Sequence, residues 1–230
     1  EDQKNKLRST PWGEMKYIDY KKKIEFGNSQ YFEIDRYCKD INIKWFASVW
    51  DKQSVDFMKE FKQKDGSVIM KIPSAKITDI ELCKYARQNC DTLLISTGMS
   101  TEKQIDICIS ECDPDVIFHT NSTYPCPVDE LNLNRIPYMI NKYPGKQIGY
   151  SGHEYALPST YAAVALGSSW IERHVTLDRT MWGSDQSCSV EPAGVYKLVK
   201  GIRAVEKSLG KGGPREIYPG ELAKLKSLRG

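Results

Sequence analysis

The sequence predicts a parallel α/β fold. Three observations carry that prediction. Short apolar runs alternate with amphipathic segments from about residue 30 to the end, the runs recur at a steady interval, and polar residues gather where the runs stop. The candidate strands are "IKWFASV" (43–49), "SVIMKI" (67–72), "TLLIST" (92–97), "DVIFHT" (115–120), "QIGYS" (147–151) and "SWIERH" (169–174). Helix-like stretches lie between them at 52–63, 79–89, 101–112, 130–142 and 156–167. A further one, 192–210, opens on Pro192 and closes on Gly210, the residues favoured at those two ends. Segment 13–27, "GEMKYIDYKKKIEFG", reads as an amphipathic helix.

The strand starts fall 22 to 32 residues apart, the repeat of the βα unit in a TIM barrel. A complete (β/α)8 barrel takes at least ~200 and typically ~250 residues. Six units occupy residues 43–210, and the first 42 residues hold no pair of buried strands. The expected architecture is therefore a single domain over residues 1–230, a TIM (β/α)8 barrel type lacking its first two βα units. An open doubly wound sheet is the alternative.

Composition narrows the function classes. The net charge of +3 arises from 33 basic and 30 acidic residues spread along the chain, so no basic half points to a nucleic acid, and Lys21-Lys22-Lys23 reads as a solvated surface run. No apolar stretch approaches the ~20 residues that span a bilayer, and the N-terminal "EDQKNKLRST" has no signal-peptide core. A cytoplasmic protein without nucleic-acid or membrane partners is expected. The seven cysteines are scattered without a C-x-x-C pair, which argues against a disulfide framework. Cys108 and Cys112 stand four apart on an expected helix, a spacing that could hold a metal. No histidine or third cysteine is near them in the sequence, so free thiols are expected.

Residues that can carry chemistry collect at the strand ends: Ser48 and Asp51, Lys71 and Ser74, Ser96, Thr97 and Gly98, His119 and Thr120, Ser151 and His153, Glu172 and His174. In parallel α/β folds that edge is where ligands bind. His153 follows one strand by two residues and His174 ends the next. Consecutive strands joined by a helix are usually neighbours about 4.8 Å apart, so both imidazoles can face one point and share one divalent metal. Two histidines also suit satisfied loop or core positions. Lys71 sits late in an apolar strand, where an ammonium calls for an anion such as phosphate or carboxylate, or else points outward between helices. Ser74, Ser96, Thr97, Ser122 and Ser151 can add neutral donors to the same anion. Gly98 reads as a tight βα turn, since no glycine-rich phosphate motif occurs. Ser151 with His153 lacks the G-x-S-x-G elbow of a hydrolase. His119 reads as an interior residue bonded to a neighbour.

These segments resemble the sialic acid synthase family, which includes legionaminic and pseudaminic acid synthases and spore-coat polysaccharide homologues. The matching stretches are "TPWGEMKYIDYKKKIEF", "YCKDINIKWFASVWDKQSVDF", "MKIPSAKITDIELCKYA", "LLISTGMST", "HTNSTYPCPVDELNL", "YSGHEYALPSTYAAVALG", "IERHVTLDRTMWGSDQSCSVEPAG" and "GIRAVEKSLG". The resemblance implies a TIM barrel that condenses phosphoenolpyruvate with an N-acetylmannosamine-like acylated amino sugar to a nonulosonic acid, releasing phosphate. It implies Mn²⁺ or Mg²⁺ on His153 and His174, and catalytic roles for His153, His174 and Lys71. Phosphoenolpyruvate would be held by Lys71, Ser74, Ser96, Ser122 and Ser151, with Tyr124 beside the sugar and Asp185 on a sugar hydroxyl. A homodimer is implied for the full-length protein.

The chain departs from the family pattern in four places. The opening strand "AEIGxNHxG" with its catalytic glutamate and the second strand "KFQ" are not present. Ser151-Gly152-His153 stands where members read "SDH", which removes a carboxylate beside a metal ligand. The C-terminal antifreeze-like domain is expected to be absent, the chain stopping at Gly230. A catalytically dead sugar- or phosphate-binding homologue in surface-glycan assembly is therefore one alternative, and a metal-dependent pyruvate aldolase is another.

Overall fold

The computed structural model describes residues 3–229, so Glu1, Asp2 and the terminal Gly230 lie outside the described residues. Five strands, β3 (Ile69–Ile72), β4 (Thr92–Ser96), β5 (Val116–Thr120), β6 (Gln147–Gly152) and β7 (Trp170–Arg173), form one sheet in sequential order. Every pairing in it is parallel. Helices α4 (Ile80–Gln88), α5 (Glu102–Cys112), α6 (Arg135–Lys142) and α7 (Pro158–Ala165) connect successive strands, and α8 (Pro192–Leu209) follows the last. Sequential parallel order with a helix after each strand is the arrangement of a TIM barrel, and the five strands form a partial sheet of that kind.

The sequence dictates most of these boundaries locally. Thr101 and Gln104 form a capping box at the start of α5, and Asp79 accepts from the Leu82 N–H at the start of α4. Prolines open α7 and α8, while α8 ends at Gly210, whose φ of 62° lies in the region glycine tolerates best. At the N-terminal edge of the sheet, carboxylates stitch strand to strand: Asp91 accepts from Val68 N–H and Asp115 from Leu93 N–H, and Arg87 pairs with Asp115 at 2.6 Å.

Two sequence expectations change. Residues 43–49 are not a strand; they touch the sheet through a single parallel bridge, Ser48 to Lys71, with Val49 N–H donating to the Lys71 carbonyl. The Gln63 side chain captures the main chain of Trp45 instead, accepting from its N–H and donating to its carbonyl. Segment 13–27 is not one helix. Its first residues form β2 (Gly13–Lys16), which pairs antiparallel with β1 (Leu7–Thr10), and only then does α1 (Tyr17–Ile24) begin. The turn is fixed by the Thr10 hydroxyl donating to the Gly13 carbonyl and by Gly13 at φ 93°. Helices α2 (Asn28–Asp40) and α9 (Pro219–Arg229) add to those expected, and α3 (Lys52–Met58) is shorter than the 52–63 stretch.

Side chains alternate across the sheet. The outward face carries Met70, Ile72, Leu93, Ile95, Ile117, Ile148 and Tyr150 into the main core against the helices. The inward face carries a small cluster, Ile69, Leu94, Val116 and Phe118, packed by Phe46 and Trp170. Lys71, Ser96, Ser151 and Glu172 follow the same alternation one step further along their strands. The inner apolar floor therefore ends in polar groups at the C-terminal edge. Among the described residues, no helix is long and apolar enough to cross a membrane.

Candidate active site

Lys71 is buried and reaches across the inward face from the edge strand β3 to the opposite edge strand β7. Its Nζ donates to both carboxylate oxygens of Glu172, at 2.6 and 2.8 Å, and lies 5.4 Å from the centre of the Phe118 ring. Ser151 Oγ donates to the same carboxylate at 2.9 Å. Glu172 thus joins β3, β6 and β7 at one point. The sequence marks it as a strand-end residue without assigning it a role. Its sign is an acidic residue between Ile171 and Arg173 at a position whose period-2 neighbour is the interior Trp170.

Next to this ion pair, Ser96 Oγ is buried and has no hydrogen-bond partner. A hydroxyl in that state is costly unless something else satisfies it. Around Gly98 three further side chains converge. A Cβ built there would lie 2.1 Å from Ser122 Oγ, 2.9 Å from Ser74 Oγ and 3.1 Å from Thr120 Cγ2. Ser74 Oγ also accepts from the Gly98 N–H at 3.1 Å. Glycine at 98 is required by this close approach; the left-handed turn residue is its neighbour Met99, with φ 58°. Thr97 spends its hydroxyl on the Phe118 carbonyl, and Thr120 spends its own on the Ser151 carbonyl. Both are structural, so Thr97 leaves the donor set that the sequence suggests. A cavity of about 790 Å³ opens between the ends of β4 and β5, with His119 and Ser122 on its wall; Lys71, His153 and His174 lie outside its lining.

His153 and His174 come together as their spacing predicts, their ring centres 5.1 Å apart. The Tyr124 ring lies 4.1 Å from His153 and 5.6 Å from His174. His153 Nδ1 meets the Asn121 carbonyl at 2.6 Å, which fixes Nδ1 as the protonated nitrogen and leaves the Nε2 lone pair free. Asp185 places a carboxylate oxygen 3.6 Å from His174 Nδ1. Burial, chiefly, lowers the His153 pKa below the ordinary imidazole value, and burial raises that of Tyr124. His153 therefore stays neutral, the form that ligates a metal. The two imidazoles, with Asp185 beside His174, are the donors this site offers a divalent cation, whose remaining ligands would be oxygen.

His119 stands apart, on the outward face of β5, where Nε2 meets the Leu131 carbonyl at 2.7 Å. It is the satisfied interior residue that its position suggests. The space beside Gly152, where the resemblance expects an aspartate, is filled by the side chains of Glu154 and Tyr150. Glu154 is fully buried, and a Cβ on Gly152 would lie 2.6 Å from its Oε2. Tyr150 donates to Glu154 Oε2 at 2.8 Å, and Arg173 Nη1 lies 3.2 Å from Oε1. Thr160 adds to this group, donating to Glu154 and accepting from Arg173 Nη1, while the buried Arg173 Nε has no partner.

A family model described as the NeuB family matches residues 1–213. N-acetylneuraminate-9-phosphate synthase of Homo sapiens is 34% identical over 216 residues, covering 92% of this chain and 58% of that protein. N,N'-diacetyllegionaminic acid synthase of Campylobacter jejuni is 30% identical over 197 residues, 83% of this chain and 58% of its own length. The chain thus spans a little over half the length of these curated relatives. A crystal structure of N-acetylneuraminic acid synthetase from Leptospira borgpetersenii, in complex with citrate, superposes with a TM-score of 0.80 at 30% identity, over 92% of this chain and 75% of that one.

Proposed function

This chain belongs to the NeuB family, and from that premise we propose that it carries the phosphoenolpyruvate- and metal-binding part of a nonulosonate synthase. The relatives' names point to an acylated amino sugar as second substrate. In this reading the five strands and the Ser48 bridge correspond to strands three to eight of the barrel, the first two units lying outside them. The observation that carries the proposal is Ser96: a buried hydroxyl without a partner, on the strand next to a buried ammonium. An anion bearing phosphate and carboxylate would satisfy both.

Phosphoenolpyruvate would be gripped by Lys71 with Ser74, Ser96, Ser122 and Ser151. Its arrival exchanges one acceptor of Lys71 for another, since Glu172 holds the ammonium in the free protein. Ser151, whose hydroxyl donates to Glu172 in the free protein, would turn from that carboxylate to the anion in the same exchange. His153 and His174 would hold Mn²⁺ or Mg²⁺, which when bound supplies Lewis acidity toward the aldehyde of the open-chain sugar. The Asn121 carbonyl presents the His153 nitrogen for that task, and Asp185 does so for His174 or meets a sugar hydroxyl. Tyr124, kept as a neutral phenol, closes the sugar side. C3 of phosphoenolpyruvate then attacks the aldehyde carbon and the aldehyde oxygen takes up a proton. Water adds to the resulting oxocarbenium carbon with loss of one proton, and the new hydroxyl then gives up its other proton to the departing phosphate as the C–O bond breaks and the keto group forms.

Calorimetric titration with phosphoenolpyruvate, with and without Mn²⁺, tests this on the wild-type chain, a Lys71→Ala variant and a His153→Ala, His174→Ala double variant. Lys71→Ala is expected to weaken phosphoenolpyruvate by roughly 10- to 100-fold, the value of a charge-assisted hydrogen bond. The double variant is expected to lose Mn²⁺ uptake. A folded wild-type chain that binds neither ligand overturns the proposal.

A further inference from the structure

On the outward side of the sheet, remote in the fold from the histidine pair, three cysteine side chains meet between α4 and α5. Cys83 belongs to the buried face of α4, and Cys108 and Cys112 stand one turn apart on α5; all three are buried. Cys108 Sγ lies 3.5 Å from Cys112 Sγ and 3.9 Å from Cys83 Sγ, and all three sulfurs fall within 4.8 Å of one another. The sequence places no third cysteine near Cys108 and Cys112; the α4–α5 packing supplies it from 25 residues upstream.

These separations have a chemical meaning. A soft cation takes thiolate sulfur at about 2.3 Å, so three sulfurs arranged in a plane around one ion stand about 4 Å apart. The side chains already occupy nearly that triangle. Their neighbours on the same faces are Leu82, Ala86 and Ile105, apolar and buried, and no imidazole or carboxylate completes the cluster among the described residues. The polar groups at hand are carbonyls: Cys83 Sγ faces those of Lys76 and Ile77 at 3.7 and 3.8 Å, and Cys112 Sγ donates to that of Cys108. An all-sulfur, three-coordinate and dry environment disfavours Mg²⁺, Mn²⁺ and Ca²⁺, which take oxygen, and gives Zn²⁺ three of the four ligands it normally keeps. It suits Cu(I), which soft sulfur ligands select and which is satisfied without a fourth ligand.

We propose that Cys83, Cys108 and Cys112 form a three-sulfur binding site for one thiophilic cation, Cu(I) ahead of Zn²⁺, distinct from the divalent-metal site of the barrel. Binding releases a proton from each sulfur that ligates and changes no oxidation state, because the ion enters and remains as Cu(I). The site lies inside the helical layer, so entry requires a local opening of the α4–α5 contact.

The test uses the whole reduced chain under anaerobic conditions, with Cu(I) offered in competition with the chromophoric chelator bicinchoninate. Wild type and Cys38→Ala, a cysteine outside the cluster, are expected to retain one equivalent of Cu(I). Cys83→Ala and Cys108→Ala are expected to hold it at least tenfold more weakly while keeping the wild-type far-ultraviolet circular dichroism. X-ray absorption of the Cu(I)-loaded wild type is expected to show three sulfur neighbours at about 2.3 Å, and this readout stands even if a variant fails to fold. Failure of wild type to compete for Cu(I), unchanged affinity in a folded Cys108→Ala, or a copper shell containing nitrogen or fewer than three sulfurs overturns the proposal.

Discussion

The two faces of the parallel sheet are built from the same five strands and do opposite things. The outward face is continuous with the helices and nearly all apolar, and Met70, Ile72, Leu93, Ile95 and Ile117 on it are essentially without exposed surface. The inward face has a small apolar floor of four buried residues, and above it come an ion pair, an unpaired hydroxyl and a glycine crowded by three side chains. Close packing on one side supports groups on the other that would be unfavourable on their own. Stability and ligand binding should therefore respond to substitution on different faces.

The largest expected effect is on the outward face. Ile117→Ala removes a fully buried side chain from the main core and should cost about 2–5 kcal/mol of unfolding free energy. Urea unfolding measures this, and phosphoenolpyruvate affinity in the folded variant should match wild type. A large affinity loss there would merge the two faces. Gly98→Ala acts on the inward face. Its methyl group would sit 2.1 Å from Ser122 Oγ, so Ser122 and Ser74 must move. We expect phosphoenolpyruvate binding to weaken by tenfold or more, with a stability cost of about 1–3 kcal/mol, the range for overpacking. Equal affinity would remove Ser74 and Ser122 from the anion site.

Smaller still is Ser96→Ala. Deleting a buried, unpartnered hydroxyl should leave stability unchanged or raise it by up to about 1 kcal/mol, while phosphoenolpyruvate binding weakens several-fold. A stability loss without any change in affinity would make Ser96 a structural residue. The weakest test is pH. Burial lowers the pKa of both His119 and His153 below the ordinary 6.5, so between the folded and unfolded values the unfolded chain takes up protons that the folded chain refuses. Stability is full above pH ~6.5 and falls as pH drops below it, by at most about 1.4 kcal/mol per pH unit for each histidine. Urea midpoints at pH 7.5 and 5.5 check the direction, and His119→Gln should flatten the dependence without touching metal uptake.

The parts legible in the sequence were those governed by short-range rules. Short apolar runs gave five strands, and Pro192 and Gly210 gave the two ends of α8. The spacing of His153 and His174 foretold their meeting, because neighbouring parallel strands have a fixed separation. The parts hidden from it were decided by long-range partners. The run at 43–49 has strand composition, yet Gln63 takes its backbone groups. Segment 13–27 carries a helical periodicity that the Thr10–Gly13 turn interrupts. Glu172 becomes a site residue only once Lys71, 101 positions away, reaches it, and Cys83 joins the other thiols only through the packing of α4 on α5.

The pairing of Gly152 with Glu154 constrains how this site can change over generations. A side chain at 152 needs space that the Glu154 carboxylate and the Tyr150 ring fill, so an aspartate there displaces one of them or goes with a smaller residue at 154. Shrinking residue 154 alone strands the Arg173 guanidinium, whose side chain is only 3% exposed, without its counterion, at a cost of roughly 3–5 kcal/mol. Glycine with glutamate and aspartate with a smaller partner are alternative fillings of one buried volume, and exchanging one for the other involves both positions.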